Sequence, residues 1–213
     1  MKIKKRLLRG THFKMLMWFI IMLLASACIV IPLVSYGSDA RIRDVLVTSS
    51  ADQILAYARV TNCFTKEMES AIMTGVPTTF TFVMDLYYQR TGWFDKQLAR
   101  VRIKHYLKYD EVKKVFHFSS SGLKKEADFT DLASAKLAMA ELDGAPLFRV
   151  SSLSQGVTYY LDLKAKLDEI RLPLHMEILL FFVSLWDFET DWYHQPFVVQ
   201  GRSVIMKSGI PES

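Results

Sequence analysis

Cysteine is scarce in this sequence, which excludes a fold held together by internal disulfides. Cys28 and Cys63 are the only cysteines among the 213 residues. Cys28 lies in a long apolar run, so the domain that follows it has no second cysteine with which Cys63 could pair. We therefore expect Cys63 to be a small buried side chain, with a reactive thiol as the other interpretation.

The sequence also lacks the local motifs of the common enzyme classes. No serine stands in a G-x-S-x-G turn, and the nine glycines form no phosphate-binding loop. His175-Met176-Glu177 matches the start of the zinc-deaminase signature, but no Cys-x-x-Cys follows it. We predict that the protein is not an enzyme and holds no cofactor. The alternative is an enzyme whose nucleophile and base are distant in the sequence and meet only in the folded protein.

A metal site is not predicted either. Asp187, Glu189 and Asp191 alternate, which is the best metal-like spacing in the chain. A calcium loop that began at Asp187 would need glycine at its sixth position and an acid at its twelfth, where the chain has Trp192 and Val198. The histidines have no cysteine or acid at a ligand spacing, so we interpret them as surface or hydrogen-bonded residues. These are His105, His117 and His194.

Acidic residues are absent from residues 1–14, a leader that carries six positive charges. This leader leaves 21 of the 27 basic residues to face all 22 acids. The rest of the chain is therefore close to neutral, although the whole chain has a net charge of +5. Because the basic character belongs to the leader, we predict no nucleic-acid partner.

Charge is absent from residues 15–34. At about 1.5 Å per residue, this run would span roughly 30 Å as a helix, the hydrocarbon thickness of a bilayer. We predict a transmembrane anchor or signal peptide at 15–37. It would place residues 1–14 in the cytoplasm and the domain in the periplasm, beyond the inner membrane. Two alternatives remain: cleavage near Gly37, which would release the domain to the periplasm, and lipidation of Cys28, because the residues before it resemble a lipidation box.

The rest of the chain predicts one β-rich domain at 38–200 and a flexible tail at 201–213. Apolar and polar residues alternate through its clearest strands, which is typical of antiparallel sheets with one solvated face. The predicted strands cover residues 42–47, 53–61, 78–89, 97–108, 114–119, 147–150 and 157–168. The predicted helices cover residues 65–74, with Thr65 as N-cap, and 129–142, with Thr130 as N-cap.

These elements predict an α+β fold that is mainly antiparallel β. We expect two packed sheets in a β-sandwich-like domain, with two or three flanking helices, after the N-terminal transmembrane or signal helix. Residues 172–186 contain a very apolar stretch that is too short to cross a membrane. We interpret this segment as the third helix, and a fully buried strand at 178–186 remains the alternative.

Short aromatic motifs connect the chain with a known family. Upstream motifs are Gly75-Val76-Pro77, Trp93 and Tyr106-Leu107-Lys108-Tyr109, and downstream motifs are Leu172-Pro173-Leu174 and Trp186-Asp187-Phe188-Glu189-Thr190-Asp191-Trp192. Through these motifs, residues 45–193 resemble a bacterial envelope family called domain of unknown function 4390. The resemblance implies an exported or membrane-tethered protein with no established activity. It also implies a signalling partner, because family members are often encoded beside a membrane sensor kinase and its response regulator.

One surface is a candidate for partner binding. Arg100, Arg102 and Lys104 would form a row on the wet face of a strand, and their other interpretation is a solvated face that discourages edge aggregation. The aromatic and acidic residues around 186–193 join this row, although such residues more often belong to a core or a solvated strand. The candidate surface consists of Arg100, Arg102, Lys104, Trp186, Asp187, Trp192 and Tyr193.

We therefore expect a membrane-tethered extracytoplasmic interaction module that is an accessory to an envelope sensor kinase. The alternative is a module that binds an apolar or lipid-like ligand, which the 14 Phe, 9 Tyr and 4 Trp residues favour. If the basic row has a partner, anionic lipid head groups or an acidic protein surface would fit its charge.

Overall fold

The computed structural model describes residues 39–168, residues 188–207 and the backbone of residues 210 and 211. The predicted leader, the predicted membrane segment and the apolar segment at 172–186 lie outside these residues. No helix within the described ranges has both the length and the apolar character needed to cross a bilayer.

Eleven strands and two α-helices make up the part of the chain that the structure describes. The strands are β1 (Arg41–Ser50), β2 (Gln53–Thr61), β3 (Thr78–Tyr88), β4 (Lys96–Asp110), β5 (Val115–Ser120), β6 (Lys125–Phe129), β7 (Glu141–Arg149), β8 (Thr158–Leu167), β9 (Tyr193–Gln200), β10 (Ser203–Met206) and β11 (Ile210–Pro211). The helices are α1 (Lys66–Met73) and α2 (Leu132–Ala140), and a 3-10 turn covers Val150–Ser152.

The strands form two antiparallel sheets, which confirms the prediction of a mainly antiparallel β fold with two sheets. The larger sheet is curled and has the order β10-β9-β8-β3-β4-β5-β6, and β11 also pairs with β9. The smaller sheet has the order β1-β2-β7. Buried side chains of both sheets and both helices belong to one hydrophobic core.

Strand β3 is in the middle of the larger sheet and shows why the two faces of this sheet differ. Every second residue from Phe80 to Leu86 is apolar and fully buried on the inner face. The residues between them point toward the outer face. Two of these, Thr81 and Asp85, are nevertheless buried by neighbouring side chains. The alternation in the sequence therefore produces an apolar inner face and a polar outer face on which charged side chains meet.

Helix α1 confirms the helix that the sequence predicts at 65–74. The Thr65 hydroxyl accepts a hydrogen bond from the Met68 backbone N–H at 3.2 Å, so Thr65 is the N-cap. Gly75 follows the helix with φ +78°, the left-handed conformation in which glycine is favoured.

Helix α2 is shorter than the predicted helix at 129–142. Its N-cap is Asp131, not Thr130, because the Asp131 carboxylate accepts the Ser134 backbone N–H at 2.8 Å. Phe129 is the last residue of β6, and Glu141 is the first residue of β7. The predicted helix is rich in helix-forming residues, but the residues at its two ends belong to strands β6 and β7.

Three other segments differ from the predicted elements. Strand β6 is mostly charged, and only Ala127 and Phe129 pack against the core. Its amino-acid sequence therefore resembles that of a loop. In β7, Gly144 (φ +71°) and Pro146 interrupt the alternation of apolar and polar residues. Both residues are tolerated there because β7 is an edge strand. The segment at 201–213, expected to be a flexible tail, contains β10, which pairs with β9.

Candidate functional site

The predicted basic row lies on the outer face of β4, but its three members have different surroundings. Arg100 donates to the buried Asp85 from Nε at 2.6 Å and from Nη2 at 2.5 Å. Lys104 Nζ donates to Asp168 Oδ2 at 2.6 Å. The side chain of Arg102 is exposed and has no hydrogen bond or ion pair with any described residue. Arg102 is therefore the member of the row whose charge is uncompensated.

Of the other residues of the predicted surface, the two that the structure describes lie away from this row. Trp192 lies under Lys164, whose Nζ is 5.5 Å from the ring centroid. Tyr193 is the first residue of β9 and packs against the hydrophobic core. Trp186 and Asp187 are outside the described residues.

An open cleft of about 940 Å³ lies on the outer face of the larger sheet. At its centre, Thr81 of β3 stands opposite Lys104 of β4 on one side and Lys166 of β8 on the other. Cations therefore flank β3 on both sides. The cleft is lined by Thr79, Thr81, Arg102, Lys104, Tyr106, Ser119, Ser121, Lys166, Leu167, Asp168 and Glu189.

Both carboxylates that line the cleft are already paired. Asp168 accepts hydrogen bonds from Lys104 Nζ and from the Thr81 hydroxyl, each at 2.6 Å. Burial alone would raise the pKa of Asp168, but these hydrogen bonds outweigh it and the pKa lies below its ordinary value. Glu189 Oε1 lies 2.6 Å from Lys164 Nζ, and this hydrogen bond lowers the pKa of Glu189. Both groups are therefore ionised and compensated near neutral pH.

A second exposed feature is the aromatic tip of the hairpin between β3 and β4. Trp93 is 72% exposed and Phe94 is 86% exposed. The next residue, Asp95, accepts hydrogen bonds from the Arg90 backbone N–H at 2.8 Å and from the Tyr160 hydroxyl at 2.9 Å. These bonds brace the turn, so the two aromatic side chains are presented to the solvent on a supported loop.

Three further loops lie at the same end of the domain as this aromatic tip. In the β1–β2 turn, the Asp52 carboxylate accepts the Ser151 backbone N–H at 2.8 Å and the Ser151 hydroxyl at 2.7 Å. In the β9–β10 turn, the Gly201 N–H donates to Gln155 Oε1 at 2.6 Å. Hydrogen bonds therefore connect these loops to one another, and Asp95 connects the tip to β8. We call this end the loop face, and it consists of residues 51–52, 89–95, 153–157 and 201–202.

A small polar cavity of about 30 Å³ lies in the core beside α2. His105 is buried there, and its Nδ1 is 3.1 Å from the Met139 carbonyl oxygen, which accepts the proton of the Nδ1 tautomer. His105 Nε2 and the Ser120 hydroxyl both line the cavity and have no hydrogen-bond partner within the described ranges. Burial lowers the pKa of His105 below its ordinary value. The cavity is large enough for one water molecule to join these two groups.

Within residues 39–168 and 188–207, Cys63 is buried and the other two histidines, His117 and His194, are each paired with an aspartate. Cys63 is buried, and burial raises the pKa of its thiol to about 12, which agrees with a packed side chain. His117 Nδ1 lies 2.6 Å from Asp128 Oδ1, and His194 Nδ1 lies 2.8 Å from Asp162 Oδ1. In the part of the chain that the structure describes, no three His, Cys, Asp or Glu side chains are placed to hold a metal ion.

Sequence reasoning missed two of these features for different reasons. Lys166 lies in an alternating strand that is easily recognised, but its position opposite Thr81 depends on the pairing of strands that are distant in sequence. The aromatic tip had a usable signal, because Trp93 and Phe94 follow Gly92 in a turn between two strands. Two large apolar residues in such a turn have little chance of being buried.

Comparison with known proteins gives one result. A family model described as a domain of unknown function (DUF4390) matches residues 37–196, which is most of the chain. Neither the curated proteins nor the solved structures gave a match. The resemblance inferred from the aromatic motifs is therefore confirmed.

Proposed function

Because the chain belongs to the domain of unknown function 4390 (DUF4390) family, we propose that it is an interaction module held at the inner membrane by its N-terminal segment. The folded domain is on the periplasmic side and binds a partner protein through its loop face. The observation that carries this proposal is the exposed aromatic tip. Trp93 and Phe94 place two large apolar side chains in solvent on a braced loop.

The chemistry of the loop face supports protein binding. Tryptophan and arginine are among the residues that most often dominate binding energy at interfaces, and Arg90 is three residues before Trp93 in the same loop. A specific interface buries about 800 Å² on each partner, which is more than two side chains supply. The three adjoining loops provide the surrounding polar surface that such an interface needs.

The position of the loop face also supports the proposal. Strand β1 begins at Arg41, near the point where the chain enters the domain, and runs for ten residues to Ser50. Its far end is at the loop face, where the Ser49 hydroxyl donates to the Arg202 carbonyl oxygen. At about 3.3 Å per residue, the chain enters the domain roughly 30 Å from the loop face. The loop face is therefore at the end of β1 remote from Arg41, and a partner bound there would not contact the start of this strand.

The first partner to test is a membrane sensor kinase, because genes for such kinases accompany the family. The alternative function, binding of an apolar or lipid-like ligand, has less support from the described residues. The cleft on the outer face contains one aliphatic lining residue, Leu167, among ten polar or aromatic ones. A polar partner surface suits this composition better than a hydrocarbon chain does.

The loop face is tested by co-purification from gently solubilised membranes of the native host. We expect a partner to copurify with the wild-type protein and to be lost, by roughly tenfold or more, from the Trp93→Ala/Phe94→Ala variant. Quantitative mass spectrometry of the eluates measures the ratio.

The matched control is Val112→Ala. Val112 is 92% exposed in the turn between β4 and β5, at the end of the domain opposite the loop face. This variant should retain the partner. Equal recovery with both variants, or no partner with the wild type, would contradict the proposed role of the loop face.

The proposed location is tested by fusing a reporter that is active only in the periplasm to Ser213. We expect an active reporter in the membrane fraction, because the basic leader should remain in the cytoplasm. Activity in the soluble periplasmic fraction would indicate cleavage near Gly37. A silent reporter on a stable fusion recovered from the cytosol would refute the location.

A further inference from the structure

We propose that the cleft on the outer face of the larger sheet binds a phosphate group, held between Arg102 and Lys166. The cleft is separate from the loop face, so this inference is independent of the proposed function. It depends on the charge, the placement and the hydrogen-bonding groups of the residues that line the cleft.

Two cations of the cleft have no direct ion pair with a described residue. Lys104 is paired with Asp168, and Glu189 is paired with Lys164. Arg102 and Lys166 line the same cleft, are exposed, and form no ion pair or side-chain hydrogen bond with any described residue, although Lys166 is near enough to Asp168 and Glu189 to help lower the pKa of both. A phosphate monoester carries a charge of about −1.5 to −2 near neutral pH, which matches these two cations. A single carboxylate would compensate only one of them.

The strand register places the two cations within reach of one ligand. Arg102 stands opposite Val83, and Lys166 stands opposite Thr81, so both flank the same part of β3 from its two neighbouring strands. Two strand spacings and an offset of two residues along the strands separate their backbones by roughly 12 Å. Both side chains are long and flexible, so their charged ends can converge on a group lying over β3.

Neutral donors complete the site. Tyr106, Ser119 and Thr79 line the cleft, and their hydroxyls make no side-chain hydrogen bond among the residues that the structure describes. A phosphate offers only acceptor oxygens at its anionic end, so it can use hydroxyl, guanidinium and ammonium donors together. The planar guanidinium of Arg102 can bind two phosphate oxygens at once.

The phosphate group can come from a free phosphate or from the head group of a lipid, and the experiment separates the two sources. Full-length protein is purified in an uncharged detergent and titrated calorimetrically with inorganic phosphate. A second titration uses a short-chain, soluble phosphatidic acid. Binding in both arms identifies the phosphate group itself as the ligand, whereas binding in the second arm alone identifies a lipid head group.

The test variant is Arg102→Gln/Lys166→Gln, and the control is Arg43→Gln/Lys108→Gln. Both remove one arginine and one lysine from exposed strand positions, but Arg43 and Lys108 do not line the cleft. We expect the test variant to lose roughly tenfold or more in affinity, since charge-assisted hydrogen bonds are removed. The control should stay within about twofold of the wild type.

Three results would overturn the inference. The first is no binding of either probe to the wild-type protein. The second is an equal loss of affinity in the test and control variants, because it would show that only net charge matters. The third is binding of a polyglutamate peptide that depends on Arg102 and Lys166 while both phosphate probes fail, which would identify an acidic protein as the ligand.

Discussion

Replacement of Phe80 by alanine is expected to lower the free energy of unfolding by about 3–5 kcal/mol. Phe80 is fully buried in β3, and its ring centroid lies 5.1 Å from that of Phe64 and 4.8 Å from that of Phe188. The truncated side chain would leave a cavity where the segments before α1 and before β9 meet the larger sheet. Urea and thermal unfolding measure the loss, and the expected decrease in Tm is roughly 10 °C.

The matched control makes the same substitution where burial is absent. Phe94 is 86% exposed, so Phe94→Ala should change the free energy of unfolding by less than about 0.5 kcal/mol. Comparable losses in the two variants would contradict the position of Phe80 in the core. The same unfolding measurement on Trp93→Ala/Phe94→Ala checks that the loop-face variant used for co-purification remains folded.

The stability of the domain is expected to fall below neutral pH, with His105 as one cause. Burial lowers the pKa of His105 below its ordinary value of 6.5, so below that pH the unfolded chain binds a proton that the folded chain resists. The contribution of neutral His105 is complete above about pH 6.5 and decreases as the pH falls. The decrease is at most about 1.4 kcal/mol per pH unit.

The charged groups around this site have opposing effects on His105. Lys125 lines the cavity and disfavours a second positive charge, whereas the nearby Glu141 and Asp143 would favour it. Asp143 is paired with Lys125 at 3.0 Å, which reduces its influence. Burial is the largest cause, so the net effect is the decrease in stability described above.

Replacing His105 by asparagine tests this prediction. The Asn side-chain N–H can donate to the Met139 carbonyl in place of Nδ1, and it does not titrate. Urea unfolding at about pH 7.5 and pH 5.5 should show a smaller pH dependence for His105→Asn than for the wild type. His117 and His194 are present in both proteins, so any effect that they have cancels in the comparison. Identical pH dependence in the two proteins would exclude His105 as the cause.

The sequence predicts the strands whose alternation is complete and misses those whose alternation is interrupted. Strands β3 and β8 have long alternating patterns, and both occur close to the expected positions. Strand β6 has two apolar residues among charged ones, and β7 contains glycine and proline. In these two strands, pairing with a neighbour decides the conformation, and such pairing cannot be read from the local sequence.

For the candidate site, the sequence predicted only the features that the residue pattern within a single strand determines. Alternation places Arg100, Arg102 and Lys104 on one face of β4, and the structure agrees. Which of the three lacks a counter-ion depends on Asp85 of β3 and on Asp168, which follows β8. The position of Lys166 opposite Thr81 likewise depends on the pairing of β8 with β3, which are distant in the sequence. Single-strand patterns therefore predict the direction of a side chain but not its neighbours.

The charged character that made β6 hard to recognise has a consequence for how the protein behaves at high concentration. Among the strands that the structure describes, β6 ends the larger sheet, so one row of its backbone N–H and C=O groups has no described strand beside it. Lys125, Glu126 and Asp128 place charges along this exposed border. A second molecule that added its own strand there would have to strip water from those charges. This border of the sheet is thereby protected from adhesion between copies of the protein.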